Sequence, residues 1–302
     1  MHDAELAVDD ALARALIEES FPELGTTALT RVRTAGTVNT IIRVGDDLVA
    51  RFPLLPAEHA DLEHEAEALT AFAAVCPVPT PRPRGVGTGT GAYPSAWSLQ
   101  TWIPGDTARP EAHAGSASLA QDLATVILAL RAVDPGDRVF DGQGRGGDLT
   151  EHDEWVATCL AKSGHLLDVP SASRLWASLR MLPPEGPLAM SHRDLIPFNL
   201  LVAGRDGETR LTGILDGGAF GAADRALDLV CAWHLFDSPV RRVLRNSLGS
   251  GDLEWRRGAA WAFVQAIGLG WYYEESNPDM SGLGLATLRR LLTDPELSAL
   301  IG

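Results

Sequence analysis

Apolar residues fall at Leu6, Leu12, Leu16 and Ile17, a helical rhythm over residues 6–19 that Phe21-Pro22 breaks. The rhythm then shortens. Residues 29–34, 40–44 and 48–52 are β-like runs, separated by turns at 35–39 and at Gly45-Asp46-Asp47. Residues 58–74 return to a helical pattern, with Leu62, Ala66, Leu69 and Phe72 on one stripe. Prolines 79, 81 and 83 keep the next segment extended, and a Gly/Thr turn over 85–91 leads into a strand over 97–103. Beyond Pro104-Gly105 helical spacing dominates, over 118–133, 151–167, 171–182, 253–270 and 283–292. A further helix is predicted to open at Asp224-Arg225-Ala226-Leu227-Asp228 and run through Leu235, while the glycine-rich residues 139–148 read as a loop. The class is therefore α+β. An antiparallel sheet with a helix occupies residues 1–103, and a larger, mostly helical part occupies 104–302.

One stretch departs from plain periodicity. Ser191-His192-Arg193-Asp194 is followed, after four residues, by Asn199, and then by the apolar run Leu200-Leu201-Val202. A polar turn through Gly204–Gly207 leads to a second apolar run, 211–215, which ends at Asp216-Gly217. Two such runs form a hairpin, and a hairpin is expected to return Asp216 to the side of Asn199. One acid to accept a hydroxyl proton, plus an amide and a second acid to hold a cation, is the set phosphoryl transfer requires. His192 reads as a buried brace for this loop rather than a proton carrier.

Three features of the first part fit that chemistry. Gly36-Thr37, in the turn between the first two strands, can turn backbone N–H groups toward phosphates, although a plain β-turn satisfies the same pattern. Arg51 ends the third strand, where a kinase places a phosphate-pairing lysine, and Glu65 on the following helix can pair with it. The strand through Gln100, Trp102 and Ile103 runs into Pro-Gly, where a base could meet the backbone at the boundary between the two parts.

The chain carries a formal charge of −15, which disfavours nucleic acid and favours a cationic small molecule. No run is long and apolar enough to span a membrane, and the N-terminal residues lack the order of a secretion signal. Its three cysteines are scattered without metal spacing, so a cytoplasmic protein with reduced thiols is expected, monomeric or weakly dimeric.

These residues carry a resemblance to the aminoglycoside phosphotransferase family of small-molecule kinases, and to its actinobacterial branch in particular. It runs from Asn39-Thr40-Ile41-Ile42-Arg43-Val44 and Leu48-Val49-Ala50-Arg51-Phe52-Pro53 through Tyr93-Pro94-Ser95-Ala96-Trp97 and Trp102-Ile103-Pro104-Gly105. It continues through the loop at 191–202 and Asp216 to Asp224–Leu229 and Tyr272-Tyr273. The resemblance implies a two-lobed, protein-kinase-like fold and Mg²⁺-dependent transfer of the γ-phosphate of ATP or GTP to a hydroxyl. The acceptor implied is an aminoglycoside or another antibiotic. It makes Asp194 the catalytic base, Asn199 and Asp216 the metal ligands, Arg51 with Glu65 the phosphate contact, Leu99–Ile103 the adenine hinge, and Asp228 a brace of the catalytic loop. Two residues depart from the family: Arg193 stands where a small residue is usual, and Gly217 where many members carry an aromatic, a loss expected to remove packing beneath the site. Asp153, Asp237, Trp271, Glu274 and Glu275 are candidate acceptor contacts. A macrolide, sugar or amino-alcohol acceptor, or a fold that binds nucleotide without turnover, are the alternatives.

Overall fold

A computed structural model describes residues 5–32, 38–204 and 208–300. The chain divides into two compact units. The first holds the described residues up to Ala74, with Pro79–Pro104 and Ile214–Ala219; the second holds Val75–Val78, Gly105–Gly213 and the chain from Phe220 on.

Asp9 opens the first unit by accepting from the Leu12 N–H at 2.8 Å, so helix α1 (Asp10–Ser20) begins four residues after the periodicity suggested. Strands β1 (Leu29–Val32), β2 (Asn39–Val44) and β3 (Leu48–Pro53) form antiparallel hairpins, and helix α2 (His59–Val75) follows. Strands β4 (Pro83–Gly87) and β5 (Trp97–Thr101) complete a sheet of order β1-β2-β3-β5-β4. Residues 85–87, expected in a turn, thus lie on an edge strand, the one sheet position where proline at its start is harmless. The strand expected to reach Ile103 stops at Thr101. Ile42, Ala50, Phe52, Trp97 and Leu99 pack with Leu16 and Ile17 of α1 into one core. Trp97 stacks on Phe52 at 4.9 Å and its indole lies where a Cβ at Gly87 would come within 2.1 Å, which is why that strand ends in glycine.

In the second unit β6 (Asp106–Thr107) precedes helices α3 (Pro110–His113), α4 (Ala117–Arg131), α5 (Asp153–Lys162) and α6 (Val169–Leu179). The helix expected over 151–167 is shorter, because a 3-10 turn over Leu149–His152 precedes α5 and Ser163 ends it. Strands β7 (Ala189–Ser191), β8 (Leu200–Ala203), β9 (Arg210–Ile214) and β10 (Gly221–Ala223) form two small sheets, β10-β7 and β6-β8-β9. Asp224 does not open a helix: it sits in a turn after β10, accepts from the Ala226 N–H, and is followed by a 3-10 turn over Leu227–Leu229 before α7 (Val230–Leu235). Helix α8 (Ser238–Leu248), unforeseen in the arginine-rich segment, is capped by Asp237, which accepts from Val240 at 3.0 Å. Helices α9 (Asp252–Tyr272), α10 (Pro278–Thr293) and α11 (Pro295–Ser298) close the chain. Most of α9 is buried, and it can be because glycines permit close approach: a Cβ at Gly258 would lie 2.6 Å from Leu229. No described helix is long and apolar enough to cross a membrane.

Candidate active site

Two clusters, one in each unit, hold the residues singled out in the sequence. In the first unit Arg51 leaves β3, and its Nη2 donates to Asp216 Oδ1 at 2.7 Å. The Asp216 carboxylate raises the Arg51 pKa, so the guanidinium is firmly charged. Glu65 lies on the exposed side of α2; partial desolvation pushes its carboxyl upward, and the nearby Arg51 charge opposes that shift. Asp216 holds φ at 63°, a left-handed conformation unusual outside glycine.

Gly217 corrects an expectation. No packing is missing beneath Asp216, because the ring of fully buried Phe72 from α2 occupies the space: a Cβ at Gly217 would stand 2.4 Å from Phe72 Cδ1. The aromatic group is supplied by another element, and glycine is what admits it. On the expected hinge, Gln100 is buried opposite Val49, and the Trp102 N–H donates to the Asp47 carbonyl at 2.7 Å. The Trp102 ring lies under Arg43, 5.4 Å from its guanidinium carbon, and Ile103 is half-buried. Gly36 and Thr37 lie outside the described residues.

In the second unit the loop after β7 is built on Asp228. This buried carboxylate accepts from Ser191 Oγ at 2.8 Å and from the backbone N–H groups of His192 and Arg193 at 3.2 Å each. Burial raises the Asp228 pKa, and these hydrogen bonds pull it back. His192 is fully buried, and its Nδ1 accepts from the Asp194 N–H at 3.3 Å. A 3-10 turn over Pro197–Asn199 then swings Asn199 back, so that its Nδ2 donates to the Asp194 carbonyl and to Oδ2, each at 2.9 Å.

Two further residues meet Asp194 that sequence reasoning missed. Arg145 Nη2 donates to Oδ1 at 2.9 Å, and Gln265 Nε2 donates to the same oxygen at 2.6 Å. The Asp194 and Arg145 side chains are each 29% exposed, so the pair faces solvent in part. Arg145 comes from the loop over 139–148, which Arg193 clamps. The Arg193 guanidinium donates to both Asp141 oxygens at 2.7 Å and to the Gln143 carbonyl at 2.8 Å, and lies 4.9 Å over the Phe140 ring. That pairing holds the Asp141 carboxyl down at about 2. Arg193 does this from a left-handed backbone, φ 72°. For Gln265 a signal existed: it is a lone amide in the apolar run Val264-Gln265-Ala266-Ile267. For Arg145, set among glycines, there was none.

The candidate acceptor residues are dispersed within this unit. Asp153 anchors structure instead of standing free, accepting from Trp176 Nε1 at 2.9 Å and from the Arg180 guanidinium. Asp237 is the α8 cap. Glu274 pairs with His165 at 2.9 Å, Glu275 is exposed, and Trp271 packs between Trp155 and Tyr272. Among the described residues no group of three or more His, Cys, Asp or Glu side chains could hold a metal. The expected donor set, an amide and a carboxylate, is of a different kind.

The model of the phosphotransferase enzyme family (APH) matches residues 30–265. No curated protein matches. Among solved structures, a GDP and kanamycin complex of APH(2")-IIia covers 95% of this chain and 98% of its own, at 18% identity and a TM-score of 0.69. The GDP complex of wild-type aminoglycoside 2'-phosphotransferase-IIIa covers 93% and 98%, at 19% identity and 0.70. The macrolide 2'-phosphotransferase MphH from Brachybacterium faecium, as apoenzyme, covers 92% and 97%, at 19% identity and 0.58. At these identities the likeness is one of fold.

Proposed function

The chain belongs to the phosphotransferase enzyme family and is a small-molecule kinase, and from that premise we propose its reaction. It moves the γ-phosphate of ATP or GTP to a hydroxyl of a cationic small molecule, an aminoglycoside or a similar antibiotic, with Mg²⁺. The observation that carries this reading is the bonding of Asn199 to Asp194, which gives the H-R-D-x-x-x-x-N spacing its geometry. Asp194 is the base: it orients the acceptor hydroxyl and takes its proton as the bond to phosphorus forms. Arg51, charged and held within β3, binds a nucleotide phosphate, with Glu65 beside it.

The residues fit magnesium in kind. Asn199 engages its amide nitrogen on Asp194, so a cation would meet its oxygen, and Asp216 offers a carboxylate; both are hard oxygen donors. Asn199 and Asp216 are the ligands we assign. When bound, the ion neutralises charge on the phosphate oxygens.

A polycationic acceptor is favoured by the −15 charge of the chain. Trp155 and Tyr272, 42% and 43% exposed in a row of aromatic rings through Trp271, favour a second reading, an acceptor with an apolar face such as a macrolide. A nucleotide-consumption screen over aminoglycosides, macrolides and peptide antibiotics decides between them. Asp194→Ala is expected to lower turnover by about 10³-fold or more while nucleotide binding persists. Equal turnover in the two proteins would remove Asp194 from the role of base.

A further inference from the structure

Behind Gln265 lies a closed line of buried polar groups. Gln265 Oε1 faces His234 Nε2 at 3.1 Å, and His234 Nδ1 lies 2.9 Å from Thr287 Oγ1 on α10. His234 and Thr287 are fully buried and Gln265 nearly so. A carboxylate paired with an arginine accepts hydrogen bonds and does not donate, so the Gln265 amide must turn its NH₂ toward Asp194 and its oxygen toward the imidazole. Two acceptors cannot face each other at that distance in a buried site. His234 Nε2 must therefore carry a proton.

Burial pushes the His234 pKa down to about 3, which leaves a single ring proton at neutral pH. Nδ1 is then an acceptor and needs a donor. The Thr287 hydroxyl supplies it, sharing its one proton between Nδ1 and the Leu283 carbonyl 2.8 Å away. Every donor points one way, from α10 through α7 and α9 to the loop after β7.

We propose that Thr287, His234 and Gln265 form a one-directional hydrogen-bond chain that fixes the orientation of the Asp194 carboxylate, with Gln265 as a positioning residue for phosphotransfer. Gln265 and Arg145 hold Oδ1, so Oδ2, beside Asn199, is the oxygen presented to the acceptor hydroxyl. The catalytic part of this inference rests on Asp194 being the base; the direction of the chain does not.

Two measurements on the full chain test it. In ¹⁵N-labelled protein at neutral pH, the ring of His234, identified among the eight histidines by its loss in His234→Gln, is expected to show a protonated Nε2 and a bare Nδ1. The opposite tautomer, or an imidazolium, would overturn the chain. Phosphate release from ATP and GTP, with water as the acceptor, gives the kinetic arm. Gln265→Leu is expected to lower kcat about 10- to 100-fold, the range for a displaced catalytic group, with the nucleotide KM unchanged. Thr287→Val should lower kcat less, and Thr287→Ser, which keeps the hydroxyl, should restore it. A folded Gln265→Leu protein with the parent kcat would overturn the positioning role. If neither nucleotide turns over in the parent protein, with water or with any acceptor of the screen, and the ring nitrogens are as expected, the chain stands and the proposed transfer to an antibiotic hydroxyl falls.

Discussion

Arg193 and Asp216 hold left-handed backbone at 72° and 63°, a conformation that costs an ordinary L residue about 1–2 kcal/mol. Each carries a side chain no glycine could replace: Arg193 clamps Asp141, and Asp216 meets Arg51. Arg193→Gly should relieve the backbone and release the loop. We expect limited proteolysis within residues 139–148 to speed up with little change in melting temperature; unchanged cleavage would show that the loop is held by other contacts. His234 gives a prediction in pH. Its folded pKa lies near 3 against an ordinary 6.5, so the folded state binds fewer protons than the unfolded chain between those values. Its contribution is fully present above pH 6.5 and is lost progressively toward pH 3, at up to about 1.4 kcal/mol per pH unit. His234→Gln should flatten the pH dependence of stability across that window, as urea titrations of both proteins would show. Parallel curves would mean that His234 titrates normally. That Asn199 would meet Asp194 was legible because their motif is local, whereas Arg51, expected to end its strand, lies inside β3. Arg145 was not legible, since its partner lies 49 residues away and its neighbours are glycines.

Gly217 and Phe72 belong to different elements, and the place where they meet has room for one side chain. Gly217→Ala would press a methyl group to about 2.4 Å from the Phe72 ring, at a cost of about 1–3 kcal/mol, the range for overpacking. Phe72→Leu in the same protein should recover part of that loss. A double-mutant cycle showing strictly additive losses would deny that the two share one space. This is also where the sequence misled: an absent aromatic looked like a gap, because the residue that fills it arrives from α2. Strand β4 was hidden for a related reason, since proline and glycine read as a turn unless the neighbour β5 is known to make them an edge. Helix α8 carries Arg241, whose guanidinium is buried against Asp294 and the Trp233 ring, and its apolar stripe, Val240, Val243, Leu244 and Leu248, stood in the sequence but went unread among the arginines.

For the whole molecule, the excess of acid is the property most open to measurement. If the acceptor is a polycation drawn by this charge, its KM should rise severalfold between low and high salt while that of a neutral acceptor stays level, because the Debye length contracts from about 30 Å at 0.01 M to about 3 Å at 1 M. A salt-independent KM for the cation would make the charge a matter of solubility alone. By itself the sequence determined the α+β class and the order and spacing of Asp194, Asn199 and Asp216. Those are features of periodicity and of residues a few positions apart, where chain geometry leaves little choice. Only the tertiary structure decided that Arg145 and Gln265 would close on Asp194, that Phe72 would stand in for a missing ring, and that Asp153 would serve as an anchor. Such contacts join segments tens of residues apart, and side chains that meet through packing leave no spacing to be read along the chain.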